Sequence, residues 1–374
     1  MTPTLSLYVA RRFFFIATAT FLAVLALVMI VDLVELISSN TGGRADFLDL
    51  LGMAFLRAPS ITITAAPFTV LLASMVCFAW FARSSELVVT RAAGVSVWTL
   101  LAPALLVALV MGMISFAVYN PVAAAFAQRF DNLEEAMFGR SSSRLSVAGG
   151  GVWLRQGDDS GQTVIRALRA NETADQLWRV SIFRFGPDNR FERRIDARRA
   201  VLRPGRWELN GASVWTLSST APADSETAAR ETEAVTHELL SLPTNLTRDQ
   251  ILESFAPPQT ISFWDLPGFI STLEESGFSS SRHRLHWHSL LSAPAVFFAM
   301  VLIGAAFSMR HVRFGGLGGM ALGCVLTGFA YFFLSDVVSA LGASGAVPVL
   351  LAAWGPPAAA VLFALGLLLH LEDG

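Results

Sequence analysis

The chain contains no lysine; all 27 of its basic residues are arginine. A phosphate-binding P-loop needs a lysine beside Ser or Thr to reach the nucleotide phosphates, so this chain cannot carry that motif. If ATP drives any process it serves, a partner must supply the nucleotide site, and no cofactor is expected in the chain itself. Cysteine is nearly as scarce. Cys77 and Cys324 both fall inside apolar runs, where a thiol acts as a small hydrophobe, and a disulfide framework is excluded. Charge is thin: 15% of residues are charged, against roughly 25% in an average soluble domain. With 53% apolar residues and a mean hydropathy of +0.54, the 374-residue chain reads as a membrane protein. Its net charge of -2 implies nothing about nucleic acid. The polar middle of the chain also lacks G-x-S-x-G, H-E-x-x-H and paired cysteines.

What is present is apolar length. Arg11 and Arg12 precede an uncharged run from Phe13 to Val31, about long enough to span a bilayer. Paired arginines on that side place the N-terminus in the cytosol. No small-residue cleavage pattern closes the run, which argues against a cleaved signal peptide. Asp32 and Glu35, three residues apart, share a helix face at the outer end of this span. Acids there are either hydrated at the interface or turned toward a partner or a polar cavity. A short outer loop from Ser38 to about Asp49 holds Gly42 and Gly43. The second span is expected from near Ala58 to Phe81, with Pro59 and Pro67. The third starts near Val97 and ends around Asn120-Pro121, with a kink at Pro103. No charge occurs from Ala92 to Gln128, so this helix is expected to run on beyond the bilayer.

Between the second and third spans lies Arg83-Ser-Ser-Glu-Leu-Val-Val-Thr-Arg91-Ala-Ala-Gly94-Val-Ser96. Ser84 or Ser85 can cap a short helix. Glu86 then sits in its first turn and Arg91 near its last, the signs that the helix dipole prefers. Gly94 can end it in the left-handed conformation. A capped helix between two spans has the shape needed to dock into a groove on a soluble partner. An ordinary polar turn is the plainer reading.

At Arg129 the composition changes. Between Arg129 and Arg284 lie 19 of the 27 arginines and 21 of the 29 acids. After three spans this block falls outside the cytosol. Strand-like alternation recurs at Gly151–Arg155, Thr163–Arg169, Leu177–Phe185, Arg194–Leu202, Arg206–Leu209 and Val214–Leu217. Turn signals separate the runs, and Asn210-Gly211 predicts a hairpin. Ala221 to Thr236 reads as a polar loop. Six or so strands at this spacing suggest an antiparallel sandwich or open barrel.

After Pro257-Pro258 the pattern predicts an amphipathic helix from Ser262 to Ser276, lying along the membrane surface. Its apolar side carries Phe263, Trp264, Leu266, Phe269, Ile270 and Leu273. Arg282-His-Arg-Leu-His-Trp-His288 leads into a fourth span ending near Met309. Arg310, His311 and Arg313 form the next cytosolic turn. The fifth span runs from Gly315 to about Leu334 with Asp336 at its outer end. Pro348 opens the sixth, which ends at His370-Leu-Glu-Asp-Gly in the cytosol. The glycines from Gly315 to Gly319 suit close helix packing. Arg282 and Arg284, with the histidines beside them, read as a cationic collar suited to lipid phosphates, or as ordinary snorkelling at a helix end. His283 and His286 share a side and His288 does not, so no metal site is expected.

The expected fold is therefore an α-helical membrane protein of six transmembrane helices, three plus three, with an inserted extracytoplasmic all-β domain. Residues 1–128 hold the first three spans and the short helix 84–94. Residues 129–258 form the β domain, 259–281 the amphipathic helix and linker, and 282–374 the last three spans.

This layout resembles the lipopolysaccharide export permease family, the LptF/LptG proteins. The local matches are Tyr8-Val-Ala-Arg-Arg12, Val31-Asp-Leu-Val-Glu35, Asn120-Pro121, Ser262-Phe-Trp-Asp-Leu-Pro267, Leu273-Glu-Glu-Ser-Gly277 and Arg282-His-Arg-Leu-His286. The most specific is Glu86-Leu-x-x-x-Arg91-Ala-Ala-Gly94-Val-Ser96. Val31–Glu35 and the closing Leu369-His-Leu-Glu-Asp373 resemble the LptG branch more than the LptF branch. The resemblance implies a bacterial inner-membrane location, with both termini cytosolic and a periplasmic jellyroll-like β domain. It implies an LptF-like second permease, an LptB-like cytosolic ATPase dimer that binds ATP and Mg, a single-span LptC-like bridge protein, and lipopolysaccharide as cargo. The helix with Glu86, Leu87, Arg91 and Gly94 would couple to the ATPase, and span one would form a lateral gate with span five of the partner. The family often places basic side chains near the outer end of span one. Here that region offers Asp32 and Glu35, with only Arg44 beyond, so Arg140, Arg144, Arg282 and Arg284 are the substitute lipid contacts, and Asp336 a further gate candidate. Two rivals remain. A lipid-modifying membrane enzyme would have only His283, His286 and Asp265 to work with. A four-span exporter or regulator is argued against by the six apolar runs.

Overall fold

The computed structural model describes residues 3–39, 45–84, 86–92, 94, 96–138, 145–147, 152–158, 161–171, 175–186, 190–216, 234–244, 257–275, 278–308 and 317–373. Among them, six helices are long and apolar enough to cross a membrane: Thr4–Ser39, Phe47–Arg83, Val97–Glu134, Ser281–Ser308, Ala321–Ala343 and Val349–His370. Three precede an inserted antiparallel sheet and three follow it. The chain divides into two compact units. One comprises Met1–Phe138, Pro258–Pro267 and Ser281–Gly374, the other Gly139–Pro257 and Gly268–Ser280.

The first unit begins with α1 (Pro3–Ser39) and α2 (Phe47–Arg83). The second span thus starts well before the expected Ala58. A local cap explains the difference. The Asp49 carboxylate accepts the Asp46 N–H at 3.3 Å, and the Leu50 N–H bonds back to the Asp46 carbonyl at 3.1 Å. Acids in a first turn also match the helix dipole. Next come α3 (Glu86–Ala92) and α4 (Val97–Ile114), the latter capped by Ser96, whose hydroxyl accepts the Thr99 N–H at 3.3 Å. Ser84 does not cap α3 as expected. Its N–H bonds to the Trp80 carbonyl at 2.9 Å, so it closes α2 instead; Ser85 lies outside the described residues. Gly94 takes φ +77°, the left-handed conformation expected at the end of α3.

A π-helical turn (Ser115–Tyr119) joins α4 to α5 (Asn120–Phe138), so the helix does run on past Asn120-Pro121. Proline cannot donate to the carbonyl four residues back, and its ring crowds that carbonyl. Widening the turn accommodates this. The freed carbonyl, Ala117 O, accepts the Trp264 indole N–H at 3.1 Å.

The second half of the helical unit is α7 (Ser281–Ser308), α8 (Leu317–Ala343) and α9 (Val349–Asp373), α6 being assigned below. Its core joins Phe13 of α1, Leu71 and Phe78 of α2, Leu101 of α4 and Met300 and Leu302 of α7. Ser74 donates to the Val301 carbonyl at 2.9 Å and Ser308 to the Met75 carbonyl at 3.2 Å, which ties α2 to α7 by backbone acceptors. The two halves meet closely where Gly112 of α4 faces Pro294 of α7: a Cβ on Gly112 would overlap the Pro294 Cα and N. Backbone cannot yield as a side-chain tip can. Gly112→Ala is therefore expected to lose about 1–3 kcal/mol of stability, and Gly112→Leu more. A detergent melting temperature for Gly112→Ala equal to that of the parent would show that this crossing is loose.

In the second unit, strands β1 (Leu145–Val147), β2 (Val152–Asp158), β3 (Gly161–Ala170), β4 (Gln176–Phe185), β5 (Phe191–Arg203), β6 (Arg206–Thr216) and β7 (Ala234–Pro243) pair antiparallel in sequential order, as one sheet among the described residues. The period of two puts whole rows on one face. One buried row is Leu154, Ile165, Ile182 and Ile195; another is Ala167, Val180, Ala197 and Ala212. The Asn210-Gly211 hairpin does not form. Both residues lie inside β6, where Gly211 takes φ +62° at a break in the ladder. The hairpin is instead Arg203-Pro204-Gly205-Arg206, with Gly205 at φ +77°. Hydrogen bonds from Arg206 and then Arg203 hold the Glu208 carboxyl below the ordinary range. β7 begins at Ala234, within the stretch read as a loop.

The amphipathic helix is α6 (Leu266–Glu275), shorter than expected. Its apolar residues Phe269 and Leu273, with Phe278 beyond, pack into the core of the sheet. The expected apolar face of this helix is thus covered by protein at Phe269 and Leu273. Phe263 and Trp264 precede the helix and belong to the helical unit.

Candidate functional site

Three clusters on the helical unit gather the residues singled out in the sequence. The first holds α3. The Tyr8 hydroxyl of α1 reaches both Glu86 carboxylate oxygens, at 3.3 and 3.4 Å. Arg12, one helical turn on, donates to the Tyr8 oxygen at 3.3 Å, and its guanidinium carbon lies over the Trp80 ring, 3.1 Å from the centroid. The Thr90 hydroxyl donates to the Glu86 carbonyl at 2.8 Å. Glu86 is thus the point where α1, α2 and α3 are tied together. Val89, two-thirds exposed, and Gly94 face outward. A short helix held on one side with an open apolar residue on the other can transmit a push. The side chains of Leu87 and Arg91 lie outside those described.

The second cluster lies at the opposite end of α1. Asp32 is buried, 3% exposed, and accepts from Arg57 of α2 at 3.1 Å. The Arg57 guanidinium lies 5.4 Å from the Phe130 ring centroid. Its side chain remains 38% exposed. Glu35 is exposed, so the two acids expected on one face have different environments. Arg57 was missed because the second span was taken to begin beside it, which made it look like a flanking charge. Its place eleven residues into an acid-capped helix is visible only once Phe47 is the start. Arg44, Arg140 and Arg144 lie outside the described residues.

The third cluster is at the head of α7. Arg282 and Arg284 are exposed while His283 is buried, 5% exposed. His286 points elsewhere: with Ser289, Tyr331, Ser335 and Asp336 it lines a cavity of about 270 Å³. Asp336 of α8 and His286 of α7 thus line the same cavity. The α7 head is also fixed by the segment before α6. The Asn120 side-chain oxygen accepts the Phe263 N–H at 2.8 Å, and Phe263 packs on Phe116 at 4.9 Å and stacks on Trp287 at 6.1 Å. Asn120-Pro121 and Phe263-Trp264, read as separate motifs, are two halves of one lock.

Six long apolar helices, three on each side of an inserted antiparallel sheet among the described residues, define a multi-pass membrane protein. The chain belongs to the lipopolysaccharide export system permease LptF/LptG family, whose model matches residues 7–370. It is similar to the lipopolysaccharide export system permease protein LptG of Escherichia coli strain K12, 24% identical over 97% of both chains. It is also similar to the protein of that name from Haemophilus influenzae, 22% identical over 95% of both chains. A lipid-modifying enzyme finds no support in these relationships.

Proposed function

We propose that the chain is a permease subunit of an ABC transporter that extracts lipopolysaccharide from the inner membrane and passes it to a periplasmic bridge. The observation that carries this reading is the family match across residues 7–370, which includes both halves and the inserted sheet. ATP and Mg would be bound by a cytosolic LptB-like ATPase dimer, because the chain has no lysine for a P-loop. A second, LptF-like permease would complete the cavity, and an LptC-like single-span protein would attend one gate. Arg11, Arg12, Arg83, Arg91, Arg310 and Arg313 fall in the sequence next to span ends that would share one side of the membrane, and this basic excess supports a cytosolic location for those ends and both termini. The β domain is then periplasmic.

In this reading α3 couples the ATPase to the spans through Glu86. Nucleotide-driven closure moves α3, Tyr8 and Arg12 carry the motion to α1, and the cavity narrows around the acyl chains. The energy comes from the ATPase, since ligand contacts shift an equilibrium only by their differential affinity for its states. α1 and α8 are the least buried of the six spans, which suits gates that open onto lipid and a partner subunit. Arg57, Arg282 and Arg284 are the cations placed to meet lipid phosphates.

The test is purification of the tagged full chain in mild detergent from its native membrane, with a photocrosslinker at position 282 or 284. A cytosolic ATPase, a second six-span permease and a lipopolysaccharide crosslink are expected together. The folded chain arriving alone and without crosslink would overturn the proposal.

A further inference from the structure

The outward face of the inserted sheet does work that no apolar core requires. From β3 to β7 the ladder breaks at one aligned position. Ala167 pairs with Val180 and Arg169 with Trp178, which leaves Leu168 and Arg179 out of register. Arg198 of β5, Gly211 of β6 and Glu238 of β7 drop out in the same line. On β3, β4 and β5, two consecutive residues therefore face outward between buried ones: Leu168 and Arg169, Trp178 and Arg179, Arg198 and Arg199. Arg179 takes φ +52°, the only described residue other than glycine with positive φ. That conformation is unfavourable for an L side chain and persists where the surroundings or a function hold it. Gly211 is needed for the same arrangement: a Cβ there would meet the Arg198 guanidinium at 2.8 Å.

The outcome is a cavity of about 590 Å³ lined by Leu168, Arg169, Ala170, Trp178, Arg179 and Arg198. Among the described residues, none of its three arginines has an ion-pair or hydrogen-bond partner, although the acids Asp196 and Glu208 on the same face are each paired with other arginines. Three like charges around one hollow repel each other, so the site favours an anion. Around it, arginines lie over aromatic rings: Arg166 over Trp153 at 5.2 Å, Arg194 over Phe183 at 5.6 Å and Arg199 over Trp178 at 5.9 Å. A guanidinium binds phosphate in a bidentate way, and an exposed indole offers a flat apolar platform for a sugar ring.

We infer that this arginine-rich face, centred on Arg169, Arg179 and Arg198 beside Trp178, binds the phosphorylated saccharide portion of the cargo lipid. The inference rests on the export reading given above. A hollow with one indole in its wall fits a discrete phosphosugar, whereas an anionic bilayer surface would be met by cations on a convex rim.

The test uses the full chain in detergent, with fully deacylated lipopolysaccharide oligosaccharide, its dephosphorylated form and phosphatidylglycerol vesicles as probes. The variants are Arg179→Gly and the double Arg179→Gly, Arg198→Gln. Glycine is at ease at φ +52°, so Arg179→Gly is expected to melt at the same temperature as the parent or higher. The double variant should bind the phosphorylated oligosaccharide at least tenfold more weakly, and the parent should bind the dephosphorylated form as weakly. Equal binding by parent and double variant, or equal binding of the two oligosaccharides, overturns the inference. So does capture of the vesicles in place of the oligosaccharide, which assigns the face to a membrane. Intact lipopolysaccharide crosslinking at Arg282 reports on export separately: a retained crosslink with no oligosaccharide binding leaves export standing and removes only this face.

Discussion

Glu86→Arg is expected to reduce lipopolysaccharide export in cells at least tenfold, the largest loss of function in the chain. The substitution removes the carboxylate that Tyr8 reaches and sets a second cation beside Arg12. α3 then loses its tie to α1, and in the proposed coupling the ATPase would meet a base in place of an acid. Tyr8→Phe deletes only the hydroxyl and should fall between parent and Glu86→Arg. The decisive readout is ATPase retention on the purified complex beside transport. Retained binding with failed transport locates the fault in coupling, and loss of binding locates it in docking. Unchanged binding and unchanged transport would remove Glu86 from the mechanism altogether.

Asp32→Leu is expected to destabilise the helical unit strongly. It strips Arg57 of its counter-charge inside a span, and breaking such a pair by removing one partner costs about 3–5 kcal/mol; Arg57 is partly exposed, so the lower end applies. Replacing both partners, Asp32→Leu with Arg57→Met, should restore most of the melting temperature, since a buried ion pair is often no better than an apolar pair of similar volume. The double variant also separates two roles for Arg57. If the pair only holds α1 to α2, the stable double variant exports lipopolysaccharide as the parent does. If Arg57 also meets lipid phosphate, the double variant is stable and fails to export. A single variant as stable as the parent would show that Asp32 is not held in the buried environment described.

Much of the fold was legible because membranes impose strict rules. Each span must be a long apolar helix, so the six runs and the charge-rich insert between them could be counted directly. Gly94 was readable for a similar reason, since few residues accept its backbone angle. The failures occurred where local signals admit two structures. Asn210-Gly211 supports a positive φ equally well in a hairpin or in a broken ladder, and only pairing with β5 and β7 selects the latter. Phe269 and Leu273 mark an apolar face without naming what covers it. Arg57 was hidden by a misplaced helix start, and the contact between Asn120 and Phe263 joins positions 143 residues apart, a distance that no local pattern reports. Of the candidate lipid contacts, the sequence picked arginines by position alone. The paired arginine and the strained one needed coordinates.

The π-helical turn has a mechanical consequence. By absorbing Pro121 without a break, it lets α4 and α5 form one rod from Val97 to Phe138. At the rise of an α-helix that rod is about 60 Å long, roughly twice the hydrocarbon thickness of a bilayer. It starts three residues beyond Gly94. Were α3 to tilt that end by about 5°, the other end would move by about 5 Å over such a length, which is the stroke the proposed coupling would have available.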